Sequence, residues 1–128
     1  MVKDMLICLG DGDNIGDVID SCLLSEDLEK ANKFSFQVKS ALEDIARMAV
    51  NEMNASLIYV AGDDICFTVS SSIQIKDTLI SYTNFFFRNT ERTMSFGIVR
   101  IATEALIALR KAKVSGKGCV QMFGGYQD

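Results

Sequence analysis

The sequence predicts one α+β domain, a mostly antiparallel sheet with helices packed on it. Three observations carry that prediction. Two apolar, β-prone runs, SLIYVA at 56–61 and ICFTVS at 65–70, are separated only by Gly62, Asp63 and Asp64. That connection suits a tight, buried hairpin and is too short for a parallel crossover. Helical spacing recurs outside the hairpin, so the chain alternates strands and helices. The 128 residues, 48% of them apolar, fit a single core, and 1–128 is read as one domain. Ferredoxin-like folds have this character.

The elements follow in order. Residues 3–9, KDMLICL, are a short apolar run ending at glycine and predict a buried strand; GDGDNIG at 10–16 predicts a loop. Weakly patterned helix is expected from about 17 to 30. Over 35–53, Val38, Ala41, Leu42, Ile45, Ala49 and Met53 recur at helical spacing, with Glu43, Asp44 and Arg47 off that face. After the hairpin, Ser70, Ser71 and Ser72 offer N-caps for a helix to about 88, with Ile73, Ile80 and Phe87 on one face. TMSFGIV at 93–99 alternates, with Met94, Phe96 and Ile98 on one side. Residues 103–114 predict a helix with Thr103 as cap, Glu104 in the first turn, and Lys111 and Lys113 in the last, a charge order that suits the helix dipole. Gly116 stops it, GCVQMF is a final strand, and the tail FGGYQD is expected to fray. The order reads β-α-α-β-β-α-β-α-β.

Composition excludes several function classes. There is no histidine, so the commonest metal ligand and general base are missing, and any metal must be held by oxygen. The net charge of −4 argues against direct nucleic-acid binding, which needs a basic surface. No apolar run could span a bilayer, and the start shows no signal-peptide pattern, so a cytoplasmic protein is expected. Cys8, Cys22, Cys66 and Cys119 match no zinc or redox spacing and are read as small hydrophobes in a reducing compartment.

Two acidic clusters follow strands: Asp11 and Asp13 in GDGDNIG, and Asp63 and Asp64 at the hairpin tip. Adjacent like charges are costly unless a cation or proton offsets them. Turn chemistry would explain either cluster alone. If strand one pairs beside the hairpin, both arrive at one sheet edge, and divalent cations are the natural neutralisers. Gly10, Gly12 and Gly62 would let the backbone approach a ligand, and Gly16 opens a helix whose N-terminal amides suit phosphate. Lys113 and Lys117, across the helix-stop turn in KAKVSGKG, read either as an ordinary helix end or as a phosphate clamp.

GDGDNIG and YVAGDD resemble the two palm motifs, G-D-x-D-N-φ-G and Y-x-G-G-D-D, of the large polymerase subunit of type III CRISPR complexes. MSFGIV…ALRKAKVSGKGCV is similar to the end shared by that palm and GGDEF diguanylate cyclases. A stand-alone palm of this size resembles the minimal CRISPR polymerase (mCpol) family, associated with antiphage defence and cyclic-nucleotide signalling.

The resemblance implies a ferredoxin-like palm with a two-metal site for Mg²⁺ or Mn²⁺. Asp11 and Asp63 would bind the metals with the Gly12 carbonyl. Asp64 would act as a further ligand or assist deprotonation of the attacking hydroxyl. The nucleotide would be contacted by Asp13, Asn14, Ile15, Gly16, Asp20 and Gly62, with Lys113 and Lys117 on its triphosphate. Ala61 departs from the first glycine of the hairpin motif. Ile19 stands where diguanylate cyclases keep a guanine-reading asparagine, which favours adenine and ATP. The implied function is a cyclic di- or oligonucleotide synthase releasing pyrophosphate, acting as a homodimer and signalling to a separate effector. The alternatives are a degenerate palm that senses nucleotides, a cyclase closing a ring on one ATP, and a haloacid-dehalogenase-type phosphatase with Asp11 as nucleophile and Asp13 as general acid.

Overall fold

The computed structural model describes residues 5–70, 74–100, 109–110, 113–114 and 116–122. The first apolar run becomes β1 (Met5–Gly12), the middle strand of the sheet. The remaining elements are α1 (Ile15–Leu24), α2 (Leu28–Met53), β2 (Ser56–Ala61), β3 (Asp64–Ser70), α3 (Ile75–Thr90), β4 (Met94–Val99) and β5 (Val120–Met122). The sheet order is β2-β3-β1-β4-β5; every pairing is antiparallel except the short parallel one between β4 and β5. The mostly antiparallel α+β reading therefore holds.

The expected loop at 10–16 is shorter than its composition suggests. β1 runs on through Gly10, Asp11 and Gly12, because Asp11 pairs with both Asp64 and Ser95 and Gly12 pairs with Met94. The two glycines are there for packing. A Cβ on Gly10 would lie 2.5 Å from a ring carbon of Phe96, and one on Gly12 would lie 2.7 Å from Ile15 Cγ1. Only Asp13 and Asn14 bend before α1 begins.

The weak 17–30 stretch resolves into the end of α1 and the start of α2. Asp27 caps α2 by accepting a hydrogen bond from the Lys30 amide at 3.1 Å. The expected stripe from Val38 to Met53 is buried and extends back to Ala31 and Phe34. α3 is rotated relative to expectation. Ile80 is 40% and Phe87 51% exposed, whereas Ile75, Leu79, Tyr82 and Phe86 are buried. Both stripes are apolar, and the buried one also lets the Tyr82 hydroxyl donate to Glu52 Oε1 at 2.8 Å. Gln74 is the N-cap of α3, without a side-chain bond; Ser70 ends β3, and Ser71, Ser72 and Ile73 lie outside the described residues.

The hairpin turn is two residues, Gly62 and Asp63, because Asp64 already pairs with Ala61. Gly62 has φ 60°, which suits its lack of a side chain. Only β3 is the expected buried strand. β2 is an edge, with Leu57, Ile58 and Tyr59 exposed and a bulge between Leu57 and Tyr59.

The main core lies between one sheet face and α2 and α3, with Phe67 and Phe96 edge-to-face. On the other face, Leu9, Cys66 and Val99 pack with Leu109. Leu109, Arg110, Lys113 and Val114 have helical backbone; the rest of the expected 103–114 helix, including Thr103, Glu104 and Lys111, lies outside the described residues, as does the tail from 123. Cys8, Cys22 and Cys66 are buried and Cys119 partly so, and none of the four is in a disulfide.

Candidate active site

β1 delivers Asp11 at its C-terminal end, β3 delivers Asp64 at its start, and Asp63 sits in the turn between β2 and β3. The Gly12 amide donates to the Asp63 carbonyl at 2.9 Å, tying that turn to β1. Carboxylate oxygens of Asp11, Asp63 and Asp64 lie within 4.8 Å of one another, each half-buried. Asp11 of the first acidic cluster and both aspartates of the second thus converge through β1–β3 pairing, as expected from strand order. Burial, then the adjacent Asp64, pushes the Asp11 carboxyl up to about 6, with Lys113 pulling the other way. Burial and the Asp11 charge also raise Asp63. Three oxygen donors of one sign, partly withdrawn from water and with no nitrogen or sulfur ligand among them, fit hard divalent cations such as Mg²⁺ or Mn²⁺.

Asp13 plays a different part. It is 1% exposed and accepts from Thr93 Oγ1 at 2.7 Å, Ser95 Oγ at 3.1 Å and the Gly118 amide at 2.8 Å. Lys113 Nζ lies 2.5 Å from Asp13 Oδ1 and 3.4 Å from Asp11 Oδ2, and donates to the Gly12 carbonyl at 3.3 Å. Burial alone would raise Asp13, but Lys113, Thr93 and Gly118 win and hold it below the usual carboxylate range. Burial likewise works against the Lys113 ammonium, and its pairing with Asp13 and Asp11 raises it nonetheless. Asp13 therefore pins the β1–α1 bend, β4 and the 116–118 turn together.

Asn14 has left-handed backbone at φ 58°, and its side-chain oxygen accepts from Lys117 Nζ at 2.6 Å. Both expected lysines thus converge on the β1–α1 bend. Ile15 is buried, while Gly16, in the first turn of α1, faces open space. A groove of about 400 Å³ runs beside the carboxylates, walled by Ile15, Gly16, Ile19, Val38, Val60 and Gly62 and reaching Asp63. Asp20 is exposed on α1 and is not among its walls. A second groove of about 430 Å³, lined by Lys30, Lys33 and Arg92 among others, contains none of the three carboxylates.

Sequence reasoning missed Thr93, Ser95 and Gly118, which hold Asp13, and Ser35, Lys39 and Glu43 on α2, which supply polar groups to the groove. Ser95 and Gly118 left a trace, since MSFG and GKG lie in the stretches compared with the palm end, whereas Thr93 stands just before them. Of the α2 residues only Glu43 drew notice in the sequence, as lying off the apolar face of a helix.

Residues 7–123 match the family described as the minimal CRISPR polymerase domain. No curated protein matches the chain. Among solved structures it is similar to a Csm1–Csm4 cassette in complex with cA3, with TM-score 0.69 and 19% identity over 94% of this chain. It spans only 20% of that matched chain. It is also similar to the active GGEEF domain of a diguanylate cyclase from Vibrio cholerae, with TM-score 0.60 and 14% identity over 98% of this chain and 86% of that one. A third is diguanylate cyclase SiaD of Pseudomonas aeruginosa with its activator SiaC, with TM-score 0.61 and 15% identity over 94% of this chain and 50% of that one. At such identities these likenesses speak for the fold.

Proposed function

The chain belongs to the minimal CRISPR polymerase family, and from that premise we propose that it is a nucleotide cyclase making a cyclic di- or oligonucleotide messenger from ATP. The observation that carries the reading is the convergence of Asp11, Asp63 and Asp64 within 4.8 Å, beside two lysines directed at the β1–α1 bend. Asp11, Asp63 and Asp64, with the Gly12 carbonyl, would hold Mg²⁺ or Mn²⁺. When bound, the ions offset charge on the phosphates and lower the pKa of the attacking hydroxyl.

The chain's own residues do the rest. Lys113 and Lys117 hold the β- and γ-phosphates, with Gly16 leaving the first turn of α1 open to phosphate oxygens. Asp13, with Lys113 bonded to it, positions that lysine, and Asn14 does the same for Lys117. The donor's ribose and base enter the groove between α1 and α2, where Ile15, Ile19 and Val38 bury the base. A ribose hydroxyl of a second nucleotide bonds to the α-phosphorus as the α–β bridging bond breaks. Pyrophosphate leaves with the electron pair, and Asp64 takes the hydroxyl proton. A second transfer in the opposite sense closes the ring, and two copies facing each other are the economical way to run it.

Adenine is favoured by Ile19, which offers no hydrogen bond to guanine, and by cassettes similar in fold whose structures hold ATP, cA3 and cA4. Among the described residues no helix is long and apolar enough to cross a membrane. We place the protein in the cytoplasm, signalling in antiphage defence to a separate effector. The phosphatase alternative is disfavoured, because its general acid, Asp13, is buried under four donors and the sheet is mostly antiparallel.

The test is incubation of the protein with each ribonucleoside triphosphate and Mg²⁺ or Mn²⁺, read by mass spectrometry, with Asp63→Ala as control. A cyclic product with pyrophosphate, absent in the variant, is expected. A folded Asp63→Ala protein with full activity would sink the assignment. Thermal stabilisation by ATP without turnover would replace it with a nucleotide sensor.

A further inference from the structure

Tyr59, on the edge strand β2, is an aromatic side chain outside both cores and 41% exposed. Its partner across the hairpin is Cys66, two residues beyond Asp64. Strand alternation therefore puts Tyr59 on the sheet face that carries Asp64 and Asp11, away from α2 and α3. The phenol is near enough that, after burial and Cys66, the charges of Asp64 and Asp11 raise its pKa. Val60, the next residue, faces the opposite way and walls the groove between α1 and α2.

The sheet order gives this position a direction. On the β4 side stand Lys113 and the turn at Gly118, held through Asp13 to Thr93 and Ser95. Asp11 follows on β1, Asp64 on β3 and Tyr59 on β2. In a phosphoryl transfer the attacking and leaving oxygens lie on opposite sides of the phosphorus. Lysines that draw pyrophosphate toward β4 leave the approach from β2 for the attacking hydroxyl, and that approach passes over Tyr59.

We propose that Tyr59 is the stacking platform for the base of the acceptor nucleotide, the one whose ribose hydroxyl attacks. This rests on the cyclase reading. The acceptor's hydroxyl oxygen bonds to the donor α-phosphorus, its proton goes to Asp64, and the donor's pyrophosphate leaves with the electrons of the broken bridge. The hairpin separates the two bases, donor on the side of α1 and α2 and acceptor on the sheet face that carries Asp11 and Asp64. One subunit then holds both nucleotides of the first bond, and a facing copy is needed only to close the ring. Because stacking uses a base's π-face and no particular edge, purine acceptors are favoured over pyrimidines without strict selection.

The experiment compares wild type, Tyr59→Ala and Tyr59→Phe in two titrations. One follows the initial rate of product formation against ATP with Mn²⁺. The other follows the thermal shift with adenosine 5′-(α,β-methylene)triphosphate, whose bridge cannot break and which reports the donor site. Tyr59→Ala is expected to raise the half-saturating ATP by about tenfold or more. It should leave the analogue titration unchanged, and Tyr59→Phe, which keeps the ring, should restore most of the loss. An unaltered rate curve in Tyr59→Ala, a Phe variant as impaired as the Ala variant, or a joint shift in both titrations would overturn the role. The first of these leaves the cyclase reading standing. A wild type that makes no product from any nucleotide removes the cyclase reading and this inference with it.

Discussion

Two aspartates two positions apart in GDGDNIG have opposite roles. Asp11 sits among like charges and is pushed up to about 6, while Asp13 is turned inward and satisfied. Removing the Asp13 charge takes away the nearer of Lys113's two carboxylate partners and weakens the hydrogen bonds that Thr93 and Gly118 donate. Asp13→Asn is expected to destabilise the fold by about 2–4 kcal/mol, read from urea unfolding. For Asp11 the sign runs the other way from a paired carboxylate. Between the ordinary value near ~3.9 and the folded value of about 6, the folded state holds a proton that the unfolded chain has released. Its contribution to stability therefore falls as pH rises through that window. A bound cation relieves the repulsion that remains above it. The melting-temperature gain from Mn²⁺ should be small at pH 5, grow through about pH 6 and level off by about pH 7.5. A gain that shrinks with rising pH would contradict this. The sequence made the residues of both clusters visible, but not which carboxylate faces inward, because that depends on Thr93, Ser95 and Gly118 arriving from β4 and the 116–118 turn.

At the scale of elements, periodicity was legible where one stripe stood out and illegible where two competed. α2 has a single apolar stripe, and its buried set matches the pattern. α3 carries Ile80 and Phe87 on one stripe and Leu79 and Phe86 on the next, and only the fit against the sheet and Glu52 decides between them. Neighbouring phenylalanines should therefore behave oppositely. Phe86→Ala should lose about 3–5 kcal/mol, whereas Phe87→Ser should stay within about 0.5 kcal/mol of wild type, by thermal or chemical unfolding. The strand-length error at β1 has a similar origin. Gly and Asp are turn residues by local chemistry, but pairing on both sides overrides that preference at Gly10, Asp11 and Gly12. Local composition could not report that β1 is flanked by two partners.

The whole molecule bears a cost for its site. Three carboxylates are held together by a fold that would be quieter without them, and the rest of the sheet and two helices carry that repulsion. In EDTA at pH 7.5, Asp63→Ala should melt no lower than wild type while losing turnover; a fall of many degrees would mean that Asp63 braces the hairpin. The same topology sets an order of assembly. β1 precedes both of its neighbours in the sequence, β3 and β4, which begin only at Asp64 and Met94. During synthesis Asp11 therefore waits unpaired until the hairpin emerges, and the lysines at 113 and 117 come later still. A nascent or truncated chain holds only fragments of the constellation, so the three carboxylates and two lysines come together only after nearly all of residues 5–122 have been translated.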